Sequence, residues 1–274
     1  MRYQTNSAAE AGPASRMMFT TIFRRLGTSI LVSFLSILAI LVFGQTGIAQ
    51  SVAGTEAARP PAIVIGFVGG YIKADNLIHS EVQLAARLRE AYPSGVDVET
   101  FESYHGAKAR EKVLGLLDTD HDGILTSDEK QNARIIIYGH SWGASAAVTL
   151  ARELGKDGIP VLLTIQVDSV SLLRKNDAVI PANVAQAANF YQQNGLLRGR
   201  PEIHAADPAR TSIIGNFRFD YKASPYNCSG YPWYDRFLVK THTQIECDPR
   251  VWKQAESLIR SDLPSTLAAS TPGQ

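Results

Sequence analysis

A serine stands between two glycines in Gly139-His140-Ser141-Trp142-Gly143. A hydroxyl becomes a useful nucleophile when it sits beside a base and when donors are aimed at the charge it creates. One way to present it is a sharp turn between a strand and a helix. The strained backbone there requires small residues two before and two after the serine. Both are glycine here. The apolar run Arg134-Ile135-Ile136-Ile137-Tyr138 precedes the motif, and an alanine-rich stretch at helical spacing, Trp142 to Leu154, follows it. Such a turn aims the helix N-terminus at Ser141 and lets the Trp142 N–H stabilise an oxyanion. A chance Gly-x-Ser-x-Gly in a loop, the plainer alternative, would lack these two flanks.

A second constellation lies just upstream, in Asp118-Thr119-Asp120-His121-Asp122-Gly123-Ile124-Leu125-Thr126-Ser127-Asp128-Glu129. Carboxylates fall at positions one, three and five (Asp118, Asp120, Asp122), glycine at six and Glu129 at twelve. Ile124, at seven, would add a backbone carbonyl. This is the EF-hand spacing, which wraps six to eight oxygens around a hard Ca²⁺ ion. An acidic turn capping a helix is the bland reading, and carboxylates in this register argue against it. Only one such loop occurs, so it reads as a structural clamp rather than half of a sensor pair. The expected cofactor is therefore structural Ca²⁺, with no organic cofactor.

These residues must be positioned by something, and the chain alternates in the required way. Ala62 to Val68 is a continuous apolar run ending in glycines, as in a strand buried on both faces. Helical spacing from Ser80 to Tyr92 opens with Ser80 and Gln83 in capping-box register. Val96 to Phe101 alternates with period two, Ala107 to Leu117 is helical, and Val161 to Val167 is a further strand. Gly155 is expected to stop the helix after Ser141. Alternating strands and helices imply a mostly parallel sheet covered on both faces. Beyond Asp168 the pattern weakens: Phe190-Tyr191 and Phe217-Arg218-Phe219 are candidate strands, and Asp248-Pro249 opens a last helix from Val251 to Ile259.

The segment IIIYGHSWGASAAVTLARELG resembles the nucleophile turn and following helix of α/β-hydrolases, particularly lipase- and thioesterase-like members. The resemblance is good over residues 62–168 and loose beyond. It implies an α/β-hydrolase three-layer sandwich and a triad in the order serine, acid, histidine. Asp168, ending the Val161–Val167 strand, is the expected acid, with Asp177, Asp207 and Asp220 as competitors. Of the two histidines that follow, His242 lies on the expected loop before the last helix, whereas His204 sits in a polar surface stretch. His140 reads as a packing or substrate-side residue. The turn Gly66-Phe67-Val68-Gly69-Gly70 is expected to supply the second oxyanion donor, with the Phe67 N–H favoured and Val68 next.

Residues 1–49 are a different material. Arg24-Arg25 precedes an uncharged run from Leu26 to Gly44, and Gly47-Ile48-Ala49 is a small-x-small site. These are the parts of an export signal cut after Ala49. The run is also long enough to remain as a membrane tether over residues 26–44. Residues 50–61 read as a linker, 62–262 as the hydrolase domain and 263–274 as a tail. Losing residues 1–49 removes four arginines and Glu10, leaving 23 basic and 25 acidic residues, a charge of −2. No basic stretch interleaved with aromatics suggests nucleic acid as a partner. In an exported protein the even pair Cys228 and Cys247 is expected to bridge, with two separate buried thiols as the alternative. The resulting expectation is an exported, periplasmic or secreted, serine hydrolase acting on small-molecule or lipid carboxylic esters. Its alternatives are a thioesterase or peptidase on the same fold, or an inactive calcium-binding surface protein.

Overall fold

The structure is a computed structural model that describes residues 60–171 and 176–265. In chain order the elements are β1 (Ala62–Val68), α1 (Ser80–Ala91), β2 (Val96–Glu102), α2 (Gly106–Leu117), α3 (Ser127–Gln131) and β3 (Arg134–His140). Then come α4 (Trp142–Lys156), β4 (Val161–Val167), β5 (Val179–Ile180), β6 (Val184–Gln192), β7 (His204–Ala205) and β8 (Ser212–Phe219). The chain closes with α5 (Trp233–Leu238), α6 (Lys240–Cys247) and α7 (Pro249–Asp262). Among these described residues no helix is long and apolar enough to cross a membrane. The apolar run 26–44, the cleavage point after Ala49 and most of the linker lie outside the described residues.

Six strands form one parallel sheet in the order β2-β1-β3-β4-β6-β8. Period two sorts the central strands between two cores. Val64, Ile136 and Tyr138 face Leu84 and Leu88 of α1 and Trp252 and Ile259 of α7. Ile63, Ile65, Phe67, Ile135 and Ile137 face Val113 and Leu117 of α2 and Ala147, Leu150 and Leu154 of α4. Every residue of β1 is buried, which explains its unbroken apolar run, whereas β2 lies at an edge and buries only Val98. The result is a three-layer sandwich, a parallel sheet covered by helices on both faces. All carboxyl ends of the parallel strands lie along one edge, where sites of such folds are built.

Local expectations failed where side chains had other partners. Ser80 does not cap α1: the cap position is His79, and Gln83 donates instead to the Leu77 and Ile78 carbonyls. Gly155 lies inside α4, packed on Asn183, and the stop falls at Gly158, whose φ of +74° favours glycine. β6 and β8 extend well beyond the aromatic pairs that marked them. Helices α5 and α6 escaped sequence reading because neither is long enough for a clear apolar period.

Candidate active site

β3 delivers Ser141 and α4 carries the chain away. Ser141 takes φ +55°, ψ −122°, a strained conformation for a residue with a side chain. The turn is held by the Ser141 N–H donating to the Val167 carbonyl at 2.9 Å. Its flanking glycines are sterically required. A Cβ on Gly139 would stand 2.5 Å from the Gly143 carbonyl, and one on Gly143 would collide with the Phe67 carbonyl. Trp142 opens α4, so its N–H is one of the first-turn donors without an intrahelical acceptor.

Asp168 follows β4 directly, is fully buried, and also has positive φ, at +45°. Its Oδ2 lies 2.6 Å from His242 Nδ1. Gln192, the last residue of β6, donates its backbone N–H to Asp168 Oδ1 at 3.0 Å and its side-chain amide to Oδ2 at 2.8 Å. His242 sits on α6, a correction to the loop expected from its position. α6 is fastened by the Cys228–Cys247 disulfide, whose Cα atoms are 5.8 Å apart, and by Thr241 donating to the Asn194 carbonyl. Ser141, Trp142 and His242 line one cavity of about 660 Å³.

The competing acids are elsewhere. Asp177 is buried against Arg200 and Ser169, each at 2.5 Å. Asp207 and Asp220 turn loops by accepting nearby backbone N–H groups. His204 is exposed on β7. His140 does not line the cavity. It packs behind His242, ring centroids 4.6 Å apart and planes tilted by 32°, and its pKa is driven well below the ordinary value by burial, then by His242 and His79, with only the His242 backbone acting the other way.

Phe67 does not reach the cavity. β1 runs on through Val68, so the Phe67 backbone is laddered between β2 and β3 and its ring is buried in the α2/α4 core. Gly69, Gly70 and Tyr71 line the cavity beside Trp142, the Tyr71 and Trp142 rings meeting edge-on with centroids 5.4 Å apart. Gly70 has φ +49°, and Ile72 N–H closes a turn onto the Gly69 carbonyl at 3.2 Å. A strand that continues past its first glycine moves the turn, a shift no local pattern announces.

The acidic loop joins α2 to α3. Oxygens of Asp118, Asp120 and Glu129 converge within 4.8 Å of one another. The backbone is already bent around them. Gly123 N–H donates to Asp118 at 3.0 Å, Asp122 N–H to Asp120 at 3.3 Å and Ile124 N–H to Asp122 at 2.7 Å, with Gly123 at φ +81°. Asp118 Oδ1 is buried without a partner. The donor set therefore suits a hard cation. Asp122 stands apart from the three, and Glu129 currently accepts from Thr119 and Thr126, capping α3. Hydrogen bonds from the Thr126 and Thr119 backbones hold the Glu129 carboxyl down to about 2.

No protein-family profile and no curated protein matches the chain. Solved structures of remote likeness include RedJ, a thioesterase of the prodiginine pathway in Streptomyces coelicolor (14% identity over 69% of this chain and 94% of that one, TM-score 0.31). Another is a dienelactone hydrolase-like promiscuous phosphotriesterase from metagenomic libraries (14%, 76% and 89%, TM-score 0.37). A third is an esterase of Pyrobaculum calidifontis (11%, 73% and 78%, TM-score 0.37). Likeness this remote says nothing of substrate.

Proposed function

We propose that the chain is a serine hydrolase that moves the acyl group of a carboxylic ester to water. The observation that carries this reading is the His242–Asp168 contact at 2.6 Å, made on the wall of the cavity that also holds Ser141 on its strained turn. Ser141 Oγ attacks the ester carbonyl as His242 Nε2 takes its proton. Asp168 fixes the tautomer by accepting from Nδ1 and balances the imidazolium charge. The oxyanion is held by the Trp142 N–H and by an N–H of the Gly70–Tyr71 turn, in place of Phe67. Collapse breaks the ester C–O bond, and the leaving alcohol takes the proton from His242. Water, deprotonated by the same imidazole, then hydrolyses the acyl-enzyme.

An apolar acyl chain suits this cavity. Tyr71, Ile72, Trp142, Leu197, Val239 and Tyr234 line it. At its rim α5 leaves Trp233, Phe237 and Leu238 at 71%, 78% and 64% exposure, which favours a lipid ester over a small polar one. The Asp118–Glu129 loop is read as a Ca²⁺ clamp: Asp118, Asp120 and Glu129 would hold the ion, with Asp122 and the Ile124 carbonyl completing the shell. That ion would stiffen the approach to β3 and take no part in bond breaking. An outer compartment rich in Ca²⁺ tolerates affinities on the order of 10⁻⁴–10⁻³ M. Export, with or without a retained tether at residues 26–44, completes the reading.

A fluorophosphonate probe tests it. Wild type should label and Ser141→Ala should not; an unlabelled but folded wild type would support an inactive calcium-binding protein instead. p-Nitrophenyl esters of rising chain length then separate esterase from lipase, and acyl-thioesters detect a thioesterase.

A further inference from the structure

Beneath the catalytic cavity lies a second group of polar side chains that the acyl-transfer reading does not use. His79 precedes α1, Glu81 lies in its first turn, Glu246 is near the end of α6, and His140 ends β3. Four chain positions on three elements thus converge, and all four are at least nine-tenths buried, with Glu81 at 0% exposure. Glu81 sits on the stripe that α1 turns to the core, with Leu84, Ala85 and Leu88, where an apolar residue is the rule.

We propose that His79, Glu81 and Glu246, with His140 drawn in as a fourth ligand, form a binding site for one divalent transition-metal ion of the zinc class. Ligand atoms of His79, Glu81 and Glu246 all lie within 4.8 Å of one another. His140 Nδ1 stands 3.7 Å from Glu81 Oε1 and 3.6 Å from Glu246 Oε2. Tetrahedral ligands at 2.0–2.1 Å from zinc are separated by about 3.3 Å, so these two spacings need contract by only a few tenths of an ångström. His140 nevertheless stands outside the tight group formed by the other three and must also move toward His79. His79 Nδ1 and Glu246 Oε1, now 2.5 Å apart in direct contact, would have to part to admit the ion.

Unmet polar atoms point at a ligand. Glu81 Oε2 is buried without a hydrogen-bond partner, and neither ring nitrogen of His140 makes a well-formed hydrogen bond, the His242 backbone being its one polar neighbour of that kind. Among the described residues, no lysine or arginine pairs with either carboxylate; their ion-pair contacts are to His79 and His140. Burying two carboxylates without a cation is costly. Burial accordingly pushes both Glu81 and Glu246 up to about 8 and lowers both histidines, the neutral form in which imidazole ligates metal. One divalent ion would neutralise the pair. Two nitrogens and two carboxylates in so tight a space suit zinc or cobalt and not Ca²⁺, which needs six to eight oxygens. His79 and Glu246 also line the cavity that holds Ser141, giving the ion a way in. Backbone support is present, since Gly69 N–H donates to Glu81 Oε1 at 3.4 Å. The ion would sit behind the His140–His242 ring contact, a positioning element for the catalytic face.

The test uses untagged full-length chain, stripped with dipicolinate, reloaded with Zn²⁺ or Co²⁺ under excess Ca²⁺ that occupies the acidic loop, and dialysed. Wild type should retain about one Zn²⁺ per chain, and the Co²⁺ form should show the intense visible bands of four-coordinate nitrogen and oxygen ligation. Both signals should disappear in Glu81→Gln and Glu246→Gln and persist in Asp120→Asn. Wild type that retains no zinc, or glutamine variants that retain it unchanged, would overturn the site. If the glutamine variants fail to fold by circular dichroism, wild type alone decides. A zinc-dependent rise in Tm with intense cobalt bands upholds the site, and their absence refutes it. None of these readouts requires Ser141 to be reactive.

Discussion

Gln192 grips Asp168 at both oxygens, its side-chain amide on Oδ2 at 2.8 Å and its backbone N–H on Oδ1 at 3.0 Å. The Gln192 side-chain oxygen in turn accepts from Asn194 N–H at 2.7 Å. An acid that follows β4 directly is therefore steadied from the end of the neighbouring β6. Gln192→Ala removes the side-chain half of this grip. Hydrogen bonds to charged groups are worth roughly 1.5–3 kcal/mol, so kcat on a p-nitrophenyl ester should fall roughly 10- to 100-fold with KM little changed. An unchanged kcat would show that Asp168 needs no such support.

Asp168→Asn should reduce kcat on the order of 10⁴-fold, because the amide favours the wrong His242 tautomer. Asp177→Asn should cost stability instead, since Arg200 and Ser169 lose their buried partner. Steady-state kinetics beside thermal melts separate the two. Near-wild-type kinetics for Asp168→Asn would remove it from the triad.

EGTA should lower Tm, and Asp120→Asn should abolish the Ca²⁺ response. At about ten times Kd a bound ion stabilises by about 1.4 kcal/mol, a shift of a few degrees in a domain this size. Equal melts with and without Ca²⁺ would dispose of the clamp.

In dipicolinate-stripped protein, stability should fall as pH rises from about 6.5 to 8. Glu81 and Glu246, each pushed up to about 8, bind protons more tightly folded than unfolded, so they stabilise at low pH and lose that contribution through 8. His79 and His140, both lowered, act oppositely below 6.5, where the unfolded imidazoles take up protons. The two effects offset on the acid side and leave only the carboxyls above it. Tm measured across this range should slope downward; a rising slope would mean that the carboxyls are ionised and stabilised.

Reduction of Cys228–Cys247 should destabilise the chain by about 3 kcal/mol, the loop-closure value for a separation of 19 residues. Because the bridge fastens α6, activity at moderate temperature should decline before global unfolding. Parallel melts and ester assays with and without reductant check this order.

What could be read along the chain was what depends on neighbours in the chain. The turn at Ser141 was legible because its steric demand falls on Gly139 and Gly143, two residues either side. The convergence of Asp118, Asp120 and Glu129 was legible because their spacing runs along twelve consecutive positions. Strands β1, β3 and β4 were legible because a strand buried on both faces leaves an unbroken apolar run.

Tertiary structure alone decided the rest. The approach of His242 to Asp168 spans 74 positions and depends on where α6 docks. How far β1 continues past Gly66 puts Gly69, Gly70 and Tyr71, rather than Phe67, at the cavity, and that length is set by pairing with β2 and β3. No local pattern marks Glu81 and Glu246, which α1 and α6 bury beside His140. Local sequence encodes turns, periods and ligand spacing, whereas proximity and burial between distant segments arise only when the sheet and its helices pack.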